Sequence, residues 1–196
     1  MVMRKLVFYG CLAFWLLMLT GCGNRTVTKS FVREEVDFGF IQRIAVLPFE
    51  NNSADTFAAE RARDVTITQV LELGLFDTVE KVLVDNVLYE EGVERGAPID
   101  PLTLKRIGQR LDTQAVILGT IDLAGTGRIG SSDYPEMALT LRLLEVNSGL
   151  ILWQASGNLS GESFGRRLFG LKADDSYQVT LKLVRTLLKT APAGYF

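Results

Sequence analysis

The chain has 196 residues, 47% of them hydrophobic and 22% charged, with a formal net charge of −2. That length suffices for one globular domain plus an export segment, and the even mixture of acids and bases offers no clustered Lys/Arg face for nucleic acid. Histidine is absent and cysteine occurs only at positions 11 and 22, which removes the commonest general base, any Ser/His/Asp arrangement and an ordinary zinc site.

Residues 1–22 read MVMRKLVFYGCLAFWLLMLTGC. Arg4 and Lys5 form a positive start, Leu6 to Leu19 an apolar stretch, and small residues lead into Cys22. This is the layout of a secretory signal peptide over residues 1–21, with an apolar run short of the ~20 residues that a spanning helix needs. The residues alone leave open an uncleaved signal anchor or a secreted protein cut elsewhere. The segment Leu19-Thr20-Gly21-Cys22 resembles the bacterial lipobox. That resemblance implies cleavage between Gly21 and Cys22, a diacylglyceryl group on the Cys22 thiol and a further acyl chain on the new amino terminus. Stable anchoring takes more than one chain, at ~0.8 kcal/mol per buried methylene. Cleavage removes Arg4 and Lys5 and leaves a net charge of −4 with one cysteine, so no internal disulfide is expected. Gly23 stands where the sorting rule of lipoproteins places Asp for inner-membrane retention. Its presence implies the outer membrane, facing the periplasm; the inner membrane and the cell surface stay open.

Residues 23–40 are polar without sustained periodicity and read, with Cys22, as a lipidated flexible tether (22–40). A domain over 41–191 and a short tail over 192–196 follow. Arg43 to Phe49 is a compact apolar run ended by Pro48 and Asn51-Asn52-Ser53, which predicts a buried strand. Ser53 or Asp55 is expected to cap a helix carrying Ala59, Ala62, Thr66, Val70 and Leu73 on one stripe and stopped by Gly74. A second strand is predicted over Phe76–Val82, then a short helix around Val84–Glu91. Asp100-Pro101 opens another helix, with Leu104, Ile107 and Leu111 inward. Gln114–Leu123 reads as an apolar strand, and Glu136–Val146 with Leu150–Ser156 as a hairpin turning at Asn147-Ser148-Gly149. A final helix spans about Asp175 to Thr190, with Tyr177, Leu181, Val184 and Leu188 inward. The order β-α-β-α-α-β-β-β-α predicts an α/β (α+β) domain: a mixed sheet of about five strands flanked by helices, with an antiparallel hairpin and a C-terminal helix.

Gly125-Thr126-Gly127-Arg128-Ile129-Gly130 matches GxGxxG after a strand, but a dinucleotide site needs a helix next, and Pro135 and a strand follow instead. It is expected to be a flexible loop between antiparallel strands. The segment 161–173 carries Phe164, Leu168 and Phe169 beside Arg166 and Arg167, among three glycines. It reads either as a partner-binding or lipid-headgroup contact, since Arg and aromatics are enriched at binding hot spots, or as a lid folded onto the sheet. Asp174-Asp175 reads as the cap of the last helix, and Glu34-Glu35 and Glu90-Glu91 as solvated charges. No pair of carboxylates suggests a cleft for envelope sugars. Catalytic residues, a metal site, a cofactor other than the lipid on Cys22, and a small-molecule substrate are therefore not expected.

Three segments, Ile44–Asn51 (IAVLPFEN), Ala115–Thr120 (AVILGT) and Val146–Trp153 (VNSGLILW), together resemble a periplasmic lipoprotein superfamily. It includes the curli-secretion lipoprotein CsgG, LpoB-type activators of penicillin-binding proteins and domains like the amino-terminal domain of TolB. The likeness covers most of residues 42–190 and implies an α/β domain that works through protein contacts, without enzyme activity. CsgG-like rings insert extra strands of ~9–11 alternating residues into the membrane. Here only Glu136–Val146 alternates well, and its partner is required by the core sheet, so a pore is not expected. LpoB-like proteins have a longer tether; residues 23–40 reach only ~60 Å fully stretched. The expectation is an outer-membrane lipoprotein whose periplasmic domain binds other envelope proteins or itself, as an adaptor or assembly factor. The alternatives are a subunit of a CsgG-like secretion assembly and a carboxylate-dependent envelope enzyme.

Overall fold

The structure is a computed structural model that describes residues 27–130, 132–162 and 172–192. Its elements, in chain order, are β1 (Val27–Val32), a 3-10 turn (Phe38–Phe40), β2 (Arg43–Val46), β3 (Glu50–Asn51), α1 (Ala58–Glu72), β4 (Asp77–Thr78), α2 (Lys81–Glu90), α3 (Pro101–Leu111), β5 (Ala115–Ile129), β6 (Ser132–Glu145), β7 (Ile151–Ser160) and α4 (Ser176–Leu188). Seven strands form one mixed sheet in the order β1-β7-β6-β5-β2-β4, with β3 beside the second half of β5. The pairs β2–β4, β2–β5 and β3–β5 are parallel, and β5–β6–β7–β1 run antiparallel.

Two apolar layers follow from the strand alternation. Ile44, Val46, Ile117, Ile121, Met137, Leu139, Leu141, Leu143 and Trp153 face α1 and α4 and form the larger core. Ala45, Leu47, Val116 and Val146 face α2 and α3 through Val84, Leu88, Leu104, Ile107 and Leu111. β6 therefore alternates as its sequence predicts, and α3 starts as predicted: Asp100 accepts from the backbone N–H of Leu102 and Thr103, with Pro101 in the first turn. The α3 helix comes so close to the sheet that a Cβ on Gly108 would lie 2.6 Å from that of Val146. Overpacking costs about 1–3 kcal/mol while Ala returns about 1 kcal/mol of helix propensity. Gly108→Ala is thus expected to destabilise the domain by about 1 kcal/mol in urea unfolding.

Several expectations are corrected. Residues 27–32, read as tether, form β1, whose six residues pair antiparallel with Asn158 to Trp153 of β7, and Phe38 is buried in the larger core. GxGxxG is not a loop: residues 125–129 continue β5 against β6 as far as the pair Ile129–Ser132. The strand expected over Phe76–Val82 shrinks to Asp77–Thr78, because the Glu80 carboxylate accepts from the N–H of Val82 and Leu83 and starts α2 at Lys81. At α1 neither Ser53 nor Asp55 occupies the cap position, which falls to Phe57 without a side-chain bond; Asp55 instead accepts from the N–H of Phe57 and pairs with Arg61 at 2.6 Å. Asp175 alone caps α4, accepting from Gln178 N–H, while Asp174 pairs with Lys182 at 2.5 Å. Tyr177 is exposed instead of inward. Glu91 is largely shielded between Arg106 and Arg110, so it bridges α2 and α3 and is not a solvated charge.

Five carboxyls sit below their ordinary range; for one of them, Glu145, burial pushes the value up but hydrogen bonds from Ser148 and Asn147 outweigh it. The hydrogen bond from Arg61 is the main cause for Asp55, that from Arg185 for Glu72, that from Arg106 for Glu91, and those from Thr103 for Asp100. A carboxyl depressed on folding stabilises the folded state above its unfolded pKa, about 3.9 for Asp and 4.3 for Glu, and loses that contribution as pH falls through the folded value. Exposed pairs are individually weak. The urea midpoint is expected to be flat from pH 7 to about 5 and to decline gently below pH ~4.

Candidate interaction surfaces

The lipobox residues Leu19, Thr20, Gly21 and Cys22, and the candidate loop residues Phe164, Arg166, Arg167, Leu168 and Phe169, lie outside the described residues. The two ends of the loop are described. Gly161 donates its N–H to Pro135 O at 2.7 Å, and Asp174 donates its own to Gly161 O at 3.0 Å. Gly161 and Asp174 thus meet at one point beside β6. Among the described residues no three His, Cys, Asp or Glu side chains gather as a metal site, and no helix is long and apolar enough to cross a membrane.

Two features that the sequence reading did not foresee define the surface. The first is a half-open sheet. The helices α2 and α3 cover only the β2, β4 and early β5 side of their face. Beyond them the same face carries cross-strand rows that no helix among the described residues covers: Phe31–Gln154–Arg142, then Lys29–Ser156–Thr140, then Asn158–Ala138–Leu123. Phe31 and Leu123 are half exposed there. Phe31 lies under the Arg33 guanidinium at 5.8 Å, and Thr140 shares hydrogen bonds with Ser156 (2.9 Å) and Asp122 (3.4 Å). An antiparallel sheet can leave one face to water, and apolar groups among polar ones are what a non-obligate interface presents.

The second feature is a groove where the open half meets the helices, outside the carboxyl end of β2. A cavity of ≈ 550 Å³ is lined by Pro48, Asp85, Tyr89, Val93 and Arg95, among others. One of ≈ 310 Å³, sharing Pro48, Leu88, Val93 and Glu94, extends it to Glu50, Leu118 and Arg142. On its floor Arg142 donates to Thr120 Oγ1 at 3.1 Å and Thr120 to Glu50 at 3.3 Å. Behind Asp85 stands Arg63 of α1, fully buried, whose Nε donates to Val46 O at 3.0 Å and whose Nη1 pairs with Asp85 at 2.7 Å. Arg95 approaches the other Asp85 oxygen at 3.4 Å. Tyr89 of α2, highly exposed, lines the groove with Val93 and gives it an apolar rim.

No protein-family model and no curated protein matches the sequence. Solved structures do. The chain is similar to the PelC dodecamer subunit from Paraburkholderia phytofirmans, at 15% identity over 83% of this chain and 96% of that one, with a TM-score of 0.57. It is similar to lipoprotein GNA1162 from Neisseria meningitidis at 18% identity, over 76% and 96% of the two chains, with a TM-score of 0.58. The hypothetical protein CT253 from Chlamydia trachomatis aligns at 12% identity over 76% and 94%, with a TM-score of 0.50. These likenesses show that the chain shares its fold, a mixed sheet with helices on both faces, with these three proteins, one of them named as a lipoprotein.

Proposed function

We propose that this protein is a lipid-anchored envelope lipoprotein whose domain, facing the periplasm from the outer membrane, binds other envelope proteins or further copies of itself as an adaptor or assembly factor. The observation that carries the reading is the uncovered half of the sheet, with Phe31 and Leu123 exposed, running into the apolar-rimmed groove beside Tyr89. The lipobox at Leu19–Cys22 and the shared fold with lipoprotein GNA1162 support the anchor. A chain without histidine, whose one cysteine outside the export segment is the lipidation site, lacks the usual nucleophile and base pairs, which favours contact over catalysis. Self-association is the form of the reading favoured by the dodecameric assembly in which the PelC subunit was solved.

The test places a photocrosslinking amino acid at Phe31, at Tyr89 and, as a control on the α4 side, at Tyr177, in the full-length protein expressed in a Gram-negative host. A discrete adduct from position 31 or 89 and none from 177 supports an interaction domain, and mass spectrometry names the partner. A ladder of multiples of the chain mass identifies self-assembly. No adduct at either position in intact cells would sink the proposal.

A further inference from the structure

We infer that the tip of the β5–β6 hairpin, Arg128 to Gly130, rests in the lipid headgroup layer of the membrane that holds the anchor. This rests on the proposed lipid at Cys22 and adds to it the posture of the domain.

The strand directions fix which end of the sheet faces the lipid. Val27, the first residue of β1, pairs with Asn158, Asn158 with Ala138, and Ala138 with Leu123. The hairpin continues past that row from Leu123 to Ile129, six residues at ~3.3 Å each, or ~20 Å. Only residues 23–26 separate Val27 from Cys22, so the lead reaches at most ~17 Å fully extended. The overhang is therefore at least as long as the lead. If the strands stand upright with Val27 toward the membrane, the tip arrives at the depth of the anchor. If they stand upright the other way, the Asn147–Gly149 turn is nearest the lipid. Residues 138–146 of β6 and the turn then hold Val27 ~27 Å above the membrane, beyond the lead's reach.

The tip itself suits a headgroup layer. Ile129 is an exposed large apolar side chain at the last pair of the ladder, and Gly130 turns the chain with φ +62. Arg128 is paired with Asp133 at 2.6 Å, so the tip is close to neutral and presents Ile129 without an unpaired charge beside it. A side chain of that kind adds a weak apolar contact to the covalent lipid.

A competing posture lays the open edge of β1 flat on the membrane, which puts Ser30 in the headgroups instead of Ile129. The experiment separates the two. Lipidation consumes Cys22 and cleavage removes Cys11, so an introduced cysteine is the sole free thiol. Full-length protein carrying Ile129→Cys, Ser30→Cys or Ser148→Cys is purified from membranes, labelled with an environment-sensitive fluorophore and placed in phosphatidylethanolamine/phosphatidylglycerol vesicles. These contain a lipid with a quencher near the headgroup. Quenching several-fold stronger at position 129 than at 30 and 148 is expected. Equal or stronger quenching at 30 or 148 overturns the posture. A Gly/Ser insert of about ten residues after Asn24, adding ~35 Å of reach, is expected to weaken quenching at 129, and an unchanged signal overturns the argument from the short lead. The mass of the N-terminal peptide is read in parallel. An unmodified Cys22 overturns the anchor and the posture together, whereas a lipidated Cys22 with the wrong quenching order overturns the posture alone.

Discussion

Asp85→Ala is expected to cost the domain about 3 kcal/mol, read as a lowered urea midpoint, and adding Arg63→Met to restore most of that loss. The reason is where the charge sits. Arg63 is fully buried, and its two bonded nitrogens reach the Val46 carbonyl and the Asp85 carboxylate. Removing Asp85 leaves a guanidinium in the interior with no counter-charge, and breaking a buried pair from one side costs about 3–5 kcal/mol. Asp85 is partly open to water, which places the expected loss at the lower end. Replacing both charges with apolar groups removes the uncompensated ion instead of exposing it, and such swaps are often neutral or stabilising. If the double variant is no more stable than Asp85→Ala, Arg63 contributes through its bond to Val46 and not through the pair.

Trp153→Ala is expected to be the most destabilising single change, at about 3–5 kcal/mol. Trp153 is among the largest fully buried side chains; it lies opposite Val32 and Leu143 in the ladders and donates its indole N–H to Thr190 Oγ1 at 3.1 Å. Against a total stability of about 5–15 kcal/mol for a domain, that loss is a large share of the whole. Thr190→Val removes the indole's partner together with the hydroxyl's own bond to Leu187 O at 2.7 Å, and is expected to cost about 1–2 kcal/mol. Thermal unfolding of the two variants side by side separates ring packing from the hydrogen bond: equal losses would mean that the cavity relaxes almost completely.

The parts of the fold that the sequence revealed are those whose side chains report their own burial. Met137, Leu139, Leu141 and Leu143 alternate because one face of β6 is wholly apolar, and Asp100-Pro101 and Asp175 announce helix starts through local chemistry. β1 gave no such signal. Val27–Val32 (VTKSFV) is an edge strand on the uncovered side, so Lys29 and Phe31 are exposed and its pairing is carried by backbone bonds to residues more than 120 positions away. The second half of β5 was hidden for a similar reason: Gly125 and Gly127 have poor strand propensity, and only the partner strand holds them extended. Arg63 was hidden because it borders the Ala62–Thr66 stripe, and nothing local says that α2 brings a carboxylate over it. Of the candidate interaction surface, the open half-face becomes visible only once β1 and the helices are placed.

The pairing of β1 also decides how the domain bears mechanical load. A pull transmitted through the lead residues enters the folded part at Val27 and runs along the strand axis. The ladder to β7 lies across that direction, and all six residue pairs resist it together in shear. Arg33 extends the resisting set, since its backbone N–H holds Leu152 O at 2.9 Å and its Nε holds Ile151 O at 3.1 Å. Tension applied between the lead and the far side of the sheet therefore meets a clamp that yields as a whole, not a zipper that opens bond by bond.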